Sequence, residues 1–311
     1  MDVEAFSIRR RSLDERRGPS YPSNKVKSIM RARWEWVLIP PAILSAALLV
    51  VSQTMFLKGS LHKDLGLGRL SPMLTLHNFF ELLADSYYLE SLLLSFTCSA
   101  AATVLTTAIA LPVAYIIARM QSRWASVLLS AVIIASFITI VIKVLGLLLI
   151  FSSDGPFNSA LKWLGIINIP ITIIGTVPGV ILGLMYYTLG FAVLLFYSVI
   201  VTISRSMEEA AEIHGASRWA VIRQIVLPLC LPGIAAGALT VFNVSMGGFS
   251  STALIGAGKV LTLPIIIQRT VMLETNYGLG AAVAVLLLCT VLAINIWSSF
   301  LLTRMRSGGL V

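Results

Sequence analysis

A polar stretch, Glu209-Ala210-Ala211-Glu212-Ile213-His214-Gly215, interrupts a chain that is otherwise mostly apolar, and after nine further residues comes Ile225-Val226-Leu227-Pro228. These residue types suit shape and docking rather than bond breaking. Ser206-Met207-Glu208-Glu209 has the form of a capping box: Ser206 accepts from an orphan amide and Glu209 reaches back three residues. A short helix is therefore expected to start near Ser206. Ala210 and Ala211 are small enough to let another backbone approach. Gly215 permits the conformation that ends a helix. Ser217 is placed to cap a second helix through Trp219, Ile222 and Ile225. Leu227-Pro228 is expected to stop that helix and turn the chain back into the next apolar segment. The product is a helix–break–helix whose own apolar residues call for a partner surface.

Other apparent chemistry dissolves on inspection. Gly256-Ala257-Gly258-Lys259 invites a phosphate-loop reading, but that pattern needs a glycine at position 253 and a Ser or Thr after the lysine. Those positions hold Ala253 and Val260. There is no HExxH, no GxSxG and no Asp/His cluster within the apolar segments, so an intramembrane enzyme lacks its paired catalytic groups. Cys98, Cys230 and Cys289 show no CxxC spacing and no neighbouring histidine, and read as structural thiols rather than a metal site or a disulfide.

The elements that position the polar stretch follow from composition. The chain is 57% hydrophobic and 12% charged, where soluble domains run near half apolar and about a quarter charged. A hydrocarbon span takes about 20 apolar residues. Six candidates appear: Trp34–Phe56, Leu89–Ala118, Ala125–Phe151, Ile173–Ile203, Leu227–Ile255 and Leu279–Leu302. The fold class expected is an all-α membrane protein with six transmembrane helices. A basic cytoplasmic tail occupies 1–33, the transmembrane domain 34–303 with its loop at 204–228, and a short tail 304–311. Arg119 and Arg123, then Arg205, Arg218 and Arg223, then Arg304 and Arg306 fall on the same side as the basic tail, so both termini are expected in the cytoplasm. The net charge of +9 reads as orientation signal and lipid headgroup contact, not nucleic-acid binding. In residues 57–88, Leu76, Phe79, Phe80, Leu82 and Leu83 recur at helical spacing and predict an interfacial or periplasmic helix.

Polar groups inside spans mark candidate solute contacts. Lys143 lies well inside the third span, and either packs and snorkels or lines a substrate path. Tyr186 and Tyr187 mark the fourth span. Asn243, Ser245, Ser250 and Ser251 surround Gly247-Gly248, where a helix is expected to be interrupted, and the serines serve either helix packing or the path. A lysine with hydroxyls leans toward an anion, a zwitterion or an amino-acid-like solute. A polyamine would favour carboxylates or aromatic faces.

The polar stretch, with its second half ending at Leu227-Pro228, resembles the coupling loop of binding-protein-dependent ABC importer permeases: Glu-Ala-Ala, three residues, Gly, nine residues, Ile, one residue, Leu-Pro. Leu111-Pro112-Val113-Ala114-Tyr115 with Arg119, Gly155-Pro156-Phe157-Asn158, Leu164-Gly165, Phe249 and Ala253-Leu254 extend the resemblance over roughly residues 75–300, nearest the spermidine/putrescine-type subgroup with its ferric iron, opine and phosphonate relatives. His214 departs from the pattern, which usually has an apolar residue there, and reads as a surface residue. The resemblance implies the type I ABC importer permease fold with a cytoplasmic coupling helix, in a bacterial inner membrane. Glu209, Ala210, Ala211, Gly215, Trp219, Leu227 and Pro228 would form the docking motif. The implied partners are an ABC ATPase dimer, a second and different permease chain, a periplasmic solute-binding protein and membrane lipid. ATP and Mg would sit on the ATPase, with no cofactor or metal in this chain. The solute is then polyamine-type by resemblance, amino-acid-like by buried charge, and stays open here. The alternative is a stand-alone channel or secondary transporter.

Overall fold

The computed structural model describes residues 24–66 and 68–307. Residues 1–23 of the expected basic tail and 308–311 of the expected C-terminal tail lie outside them. The chain divides into two compact units, residues 1–55 and 56–311. In the first, the described residues are one helix, α1, Asn24–Ser60, which carries Pro40 and Pro41 and runs on into the second unit. Helix therefore begins well before the expected boundary at Trp34.

The second unit opens with an antiparallel pair that the all-α expectation did not contain: β1 (His62–Asp64) and β2 (Leu70–Leu74). The predicted helix follows as α2 (His77–Ala84) and buries Leu82. Asn78, itself buried, donates from Nδ2 to the carbonyls of Ser60 and His62, which ties this segment down.

Next come α3 (Ser86–Arg119), α4 (Arg123–Phe137), α5 (Ile140–Ile150), α6 (Pro156–Trp163) and α7 (Val177–Val201). Then follow α8 (Arg205–Ile213), α9 (Arg218–Val221), a π-helical turn (Ile222–Val226) and α10 (Leu227–Met246). The chain closes with α11 (Phe249–Gly256), α12 (Leu263–Met272) and α13 (Tyr277–Ser307).

Five stretches among the described residues are long and apolar enough to cross a membrane: Val37–Ser60, Ser86–Arg119, Val177–Val201, Arg218–Met246 and Tyr277–Leu301. The predicted third span is not one helix. It breaks into α4 and α5, bent by 97°. Ile138 and Thr139 are both extended at the break, with ψ of 131° and 145°. The break falls at the start of an unbroken β-branched run, Ile138-Thr139-Ile140-Val141-Ile142, whose side chains lower helix propensity slightly; its last three residues already belong to α5.

Why α3, α7 and α10 pack together is written in small residues. The buried face of α3 reads Ser91, Ser95, Ser99, Ala102, Thr106, Ala110, Ala114, one every three or four residues. Such a stripe lets backbones approach where lipid offers no hydrophobic drive for association. Thr106 and Thr188 meet across α3 and α7, Oγ1 to Oγ1, at 3.2 Å. On α10, a Cβ at Gly237 would stand 2.8 Å from the Phe196 ring, so glycine is required for that approach. The main apolar cluster joins Ala110, Ala114 and Ile117 with Phe196, Ile200, Val226 and Ile234.

Candidate functional site

The loop after α7 folds as a helix–break–helix, with its caps partly displaced from expectation. Ser204, not Ser206, is the N-cap: it is extended (φ −63°, ψ 132°) and its hydroxyl accepts from Ser206 N at 3.3 Å. The capping box is therefore absent. Ser206 lies inside the helix, its Oγ 2.6 Å from Ser204 Oγ. At the other end Gly215 has φ +86°. The Ala216 N–H donates to Ala211 O and the Gly215 N–H to Glu212 O, a Schellman closure that satisfies carbonyls left over at the helix end. Ser217 caps α9 as expected, its Oγ accepting from Ala220 N at 3.3 Å.

Leu227-Pro228 does not stop the second helix. Helical structure runs unbroken from Arg218 to Met246. Proline lacks an N–H and its ring collides with the carbonyl four residues back. The chain absorbs this by widening: Leu227 N donates to Ile222 O, five residues back, in the π turn just before Pro228.

The first helix of the loop has two faces. Arg205, Glu208 and Ala211, three residues apart, are half-buried against the bundle, whereas Met207, Glu209, Ala210, Glu212 and Ile213 are exposed. Ala211 and Ala216 pack on the main apolar cluster. Ile213 is 84% and Trp219 71% exposed. His214 is exposed, as the surface reading required.

On the inward face Glu208 meets Tyr115 and Arg119, residues the sequence named separately and did not bring together. Glu208 pairs with Arg119 through Oε1 and Nη2, and the two side chains are only 12% and 14% exposed. Tyr115 OH donates to Glu208 Oε2 at 3.1 Å. Arg119 Nη2 also donates to Ile203 O at 3.3 Å, and Arg205 Nη2 to Ala118 O at 3.1 Å. The legible signal was Tyr115 and Arg119 one helical turn apart. Which of Glu208 and Glu209 turns inward could not be read from their adjacency.

The candidate solute residues fall into three places. Lys143 is buried on α5, with no ion pair among the described residues, and its Nζ lies 6.0 Å from the Tyr187 ring centroid. Tyr186 is exposed. α5 packs against α7 and α11, so Lys143, Tyr187 and Ser251 stand on neighbouring elements. Asn243 exchanges two amide hydrogen bonds with Asn295 at 3.0 Å each, which joins α10 to α13. Asn295 was not picked out in advance. The predicted interruption is present: α10 ends at Met246 and α11 starts at Phe249. Beside it, Ser245 packs with Ser95, Ser99, Thr252 and Thr262 around a gap too tight to admit a water molecule. The hydroxyls of Ser245, Ser251 and Thr262 are buried without hydrogen-bond partners. Ser250 is half-buried on α11.

Over residues 110–307, well over half of its length, the chain matches the family described as binding-protein-dependent transport system inner membrane component. The chain belongs to this family. The permease is 34% identical over 213 residues to the spermidine/putrescine transport system permease protein PotB of Salmonella typhimurium (strain SL1344), covering 68% of this chain and 74% of that protein. The PotB of Escherichia coli (strain K12) aligns at the same identity over 77% of its length. Among solved structures, a bacterial ABC transporter involved in the import of the acidic polysaccharide alginate superposes with a TM-score of 0.75 at 19% identity, over 91% of this chain and 99% of that one. The MetNI methionine ABC transporter gives 0.53 at 20%, over 71% and 98%. At such identities these two show the fold, that of ABC importer permeases. The chain is thus an integral membrane transport component of an ABC importer, not an enzyme.

Proposed function

We propose that this permease forms half of a translocation pathway for a small polar solute carrying an amine, polyamine-type or amino-acid-like, delivered by a periplasmic binding protein. It pairs with a second, different permease chain and with an ABC ATPase dimer that binds ATP and Mg. It lies in a bacterial inner membrane with both termini in the cytoplasm. Closure of the ATPase dimer draws the loop at 204–228 inward and opens the pathway outward, and hydrolysis resets it. The observation that carries the coupling role is the outward face of α8 and α9. Ile213 and Trp219 are large, apolar and exposed at the end of the bundle where Arg119 and Arg205 gather. Such a face beside a buried inward face needs a protein surface to cover it. The name of the PotB relatives supports an amine-bearing solute.

The test is capture and cargo together. Replacing Trp219 with Asp should weaken binding of the ATPase to the purified permease pair by about thirtyfold and cut its recovery accordingly, since buried aromatic anchors contribute about 2 kcal/mol or more to an interface. Undiminished recovery removes the docking role from this face. Thermal unfolding of the partner binding protein with putrescine, spermidine or γ-aminobutyrate then assigns the solute. No shift with any of the three overturns the amine class.

A further inference from the structure

We infer that Tyr115, Arg119 and Glu208 form a positioning joint that makes the coupling loop and α3 move as one body; this rests on the coupling role proposed above. The loop touches α3 at three separate points. Ile203 O accepts from Arg119, Arg205 donates to Ala118 O, and Glu208 takes both Arg119 and Tyr115. Points at 203, 205 and 208 bound to points at 115, 118 and 119 fix rotation as well as position. Each arginine serves a carbonyl at or just beyond a helix C-terminus, where acceptors are left over and positive charge is favoured. The pair is shielded from water, so removing one partner leaves a charge stranded in a poorly solvated place. Adjacent carboxylates thereby divide the labour. Glu208 faces inward to the joint, and Glu209 is exposed on the docking side.

α3 gives the joint its reach. It runs without a break from Ser86 to Arg119. From Arg119 back to Ser95 is about 36 Å at the helical rise. Ser95 there donates to Ser91 O and accepts from Leu263 N at 2.7 Å, and it packs in the group of hydroxyls beside the interrupted helix. A displacement imposed on the loop therefore travels along one continuous helix, which carries Pro112 partway, to the hydroxyls of Ser245, Thr252 and Thr262 beside the interrupted helix. Arg119 and Glu208 act on transport through the placement of other residues and touch no solute.

The experiment uses the whole importer in proteoliposomes: both permeases, the ATPase and the binding protein. Uptake of radiolabelled putrescine and of γ-aminobutyrate is measured against ATP hydrolysed. R119E and E208R should each lower solute moved per ATP by about tenfold, and the swapped double variant R119E/E208R should recover part of it, because it restores the ion pair but not the donor to Ile203 O. Tyr115→Phe should give a smaller loss in the same ratio. A ratio equal to wild type in both reversals overturns the joint, even if their melting temperatures fall. A swap that recovers nothing overturns it too. Where a reversal fails to assemble, Glu208→Gln and Arg119→Lys carry the same comparison. A wild-type importer that moves neither probe overturns the solute reading instead. The joint is then judged on hydrolysis by the assembled complex, which both reversals must change and the swap must restore in part.

Discussion

Gly215 sits at φ +86°, and a Cβ added there would meet no atom within 4 Å. The penalty for a side chain is therefore conformational and not steric, about 1–2 kcal/mol for an ordinary L-residue. Asparagine visits the left-handed region more readily than valine. Uptake in vesicles should accordingly fall in the order Gly215→Asn, Gly215→Ala, Gly215→Val, with valine the most damaging. Equal uptake across the series means the break is not needed in this shape. A second residue-scale expectation concerns Asn243 and Asn295. Each is the other's partner, so Asn243→Ala and Asn295→Ala should each destabilise the purified permease by about 1 kcal/mol, and together by less than the sum. Strictly additive melting shifts would deny the pairing. At this scale the sequence was half legible. The Gly215 break and the Ser217 cap were readable because each depends on one residue's own chemistry. Ser204 displaced Ser206 as the cap, and Glu208 entered an ion pair, because both outcomes depend on how the loop meets α3.

Pro228 shows the same limit one level up. Read locally it ends a helix. In the fold, α10 is anchored by Cys230, Ile234, Gly237 and Val241, buried against its neighbours, and that packing keeps the helix continuous while the π turn at Ile222–Val226 takes up the proline. Restoring the missing N–H in Pro228→Ala removes the reason for the wide turn. A tightened turn would rotate Trp219 and the rest of α9 about the helix axis by about 100°, one residue's worth of helical twist. The expected result is a permease of equal or higher melting temperature with reduced uptake. Retained uptake shows that the wide turn has no part in aiming the loop. The α4–α5 break was invisible for a related reason. Hydropathy sees 125–151 as one apolar run, and only the β-branched cluster at 138–142 hints at a hinge.

Across the whole molecule, the unresolved choice left by hydropathy is whether α4 and α5 make one broken crossing or a re-entrant turn. By length neither crosses alone: about 22 Å and about 16 Å of helix against about 30 Å of hydrocarbon. From the contacts we expect one broken crossing. α3 ends at Arg119, which donates to Ile203 O just past the end of α7, and Arg205 donates to Ala118 O. The ends of α3 and α7 therefore lie on the same side. Between them the chain runs through α4, α5 and then α7, and α7 is a full crossing of 25 residues. One crossing of α7 must be balanced by another, so α4 and α5 together are expected to carry the chain across. Six crossings follow if α1 crosses by its own length, and the positive-inside pattern then agrees with the fold. Single cysteines at Ile213 and at Trp163, which is 86% exposed, test this in right-side-out vesicles. Cys98 and Cys230 are buried and Cys289 lies within α13, so the unmodified chain gives the background labelling. A membrane-impermeant thiol reagent should label the cysteine at 163 directly and that at 213 only after permeabilisation. The reverse pattern, with 213 labelled directly and 163 only after permeabilisation, would make α4–α5 re-entrant, leave five crossings, and place the termini on opposite faces.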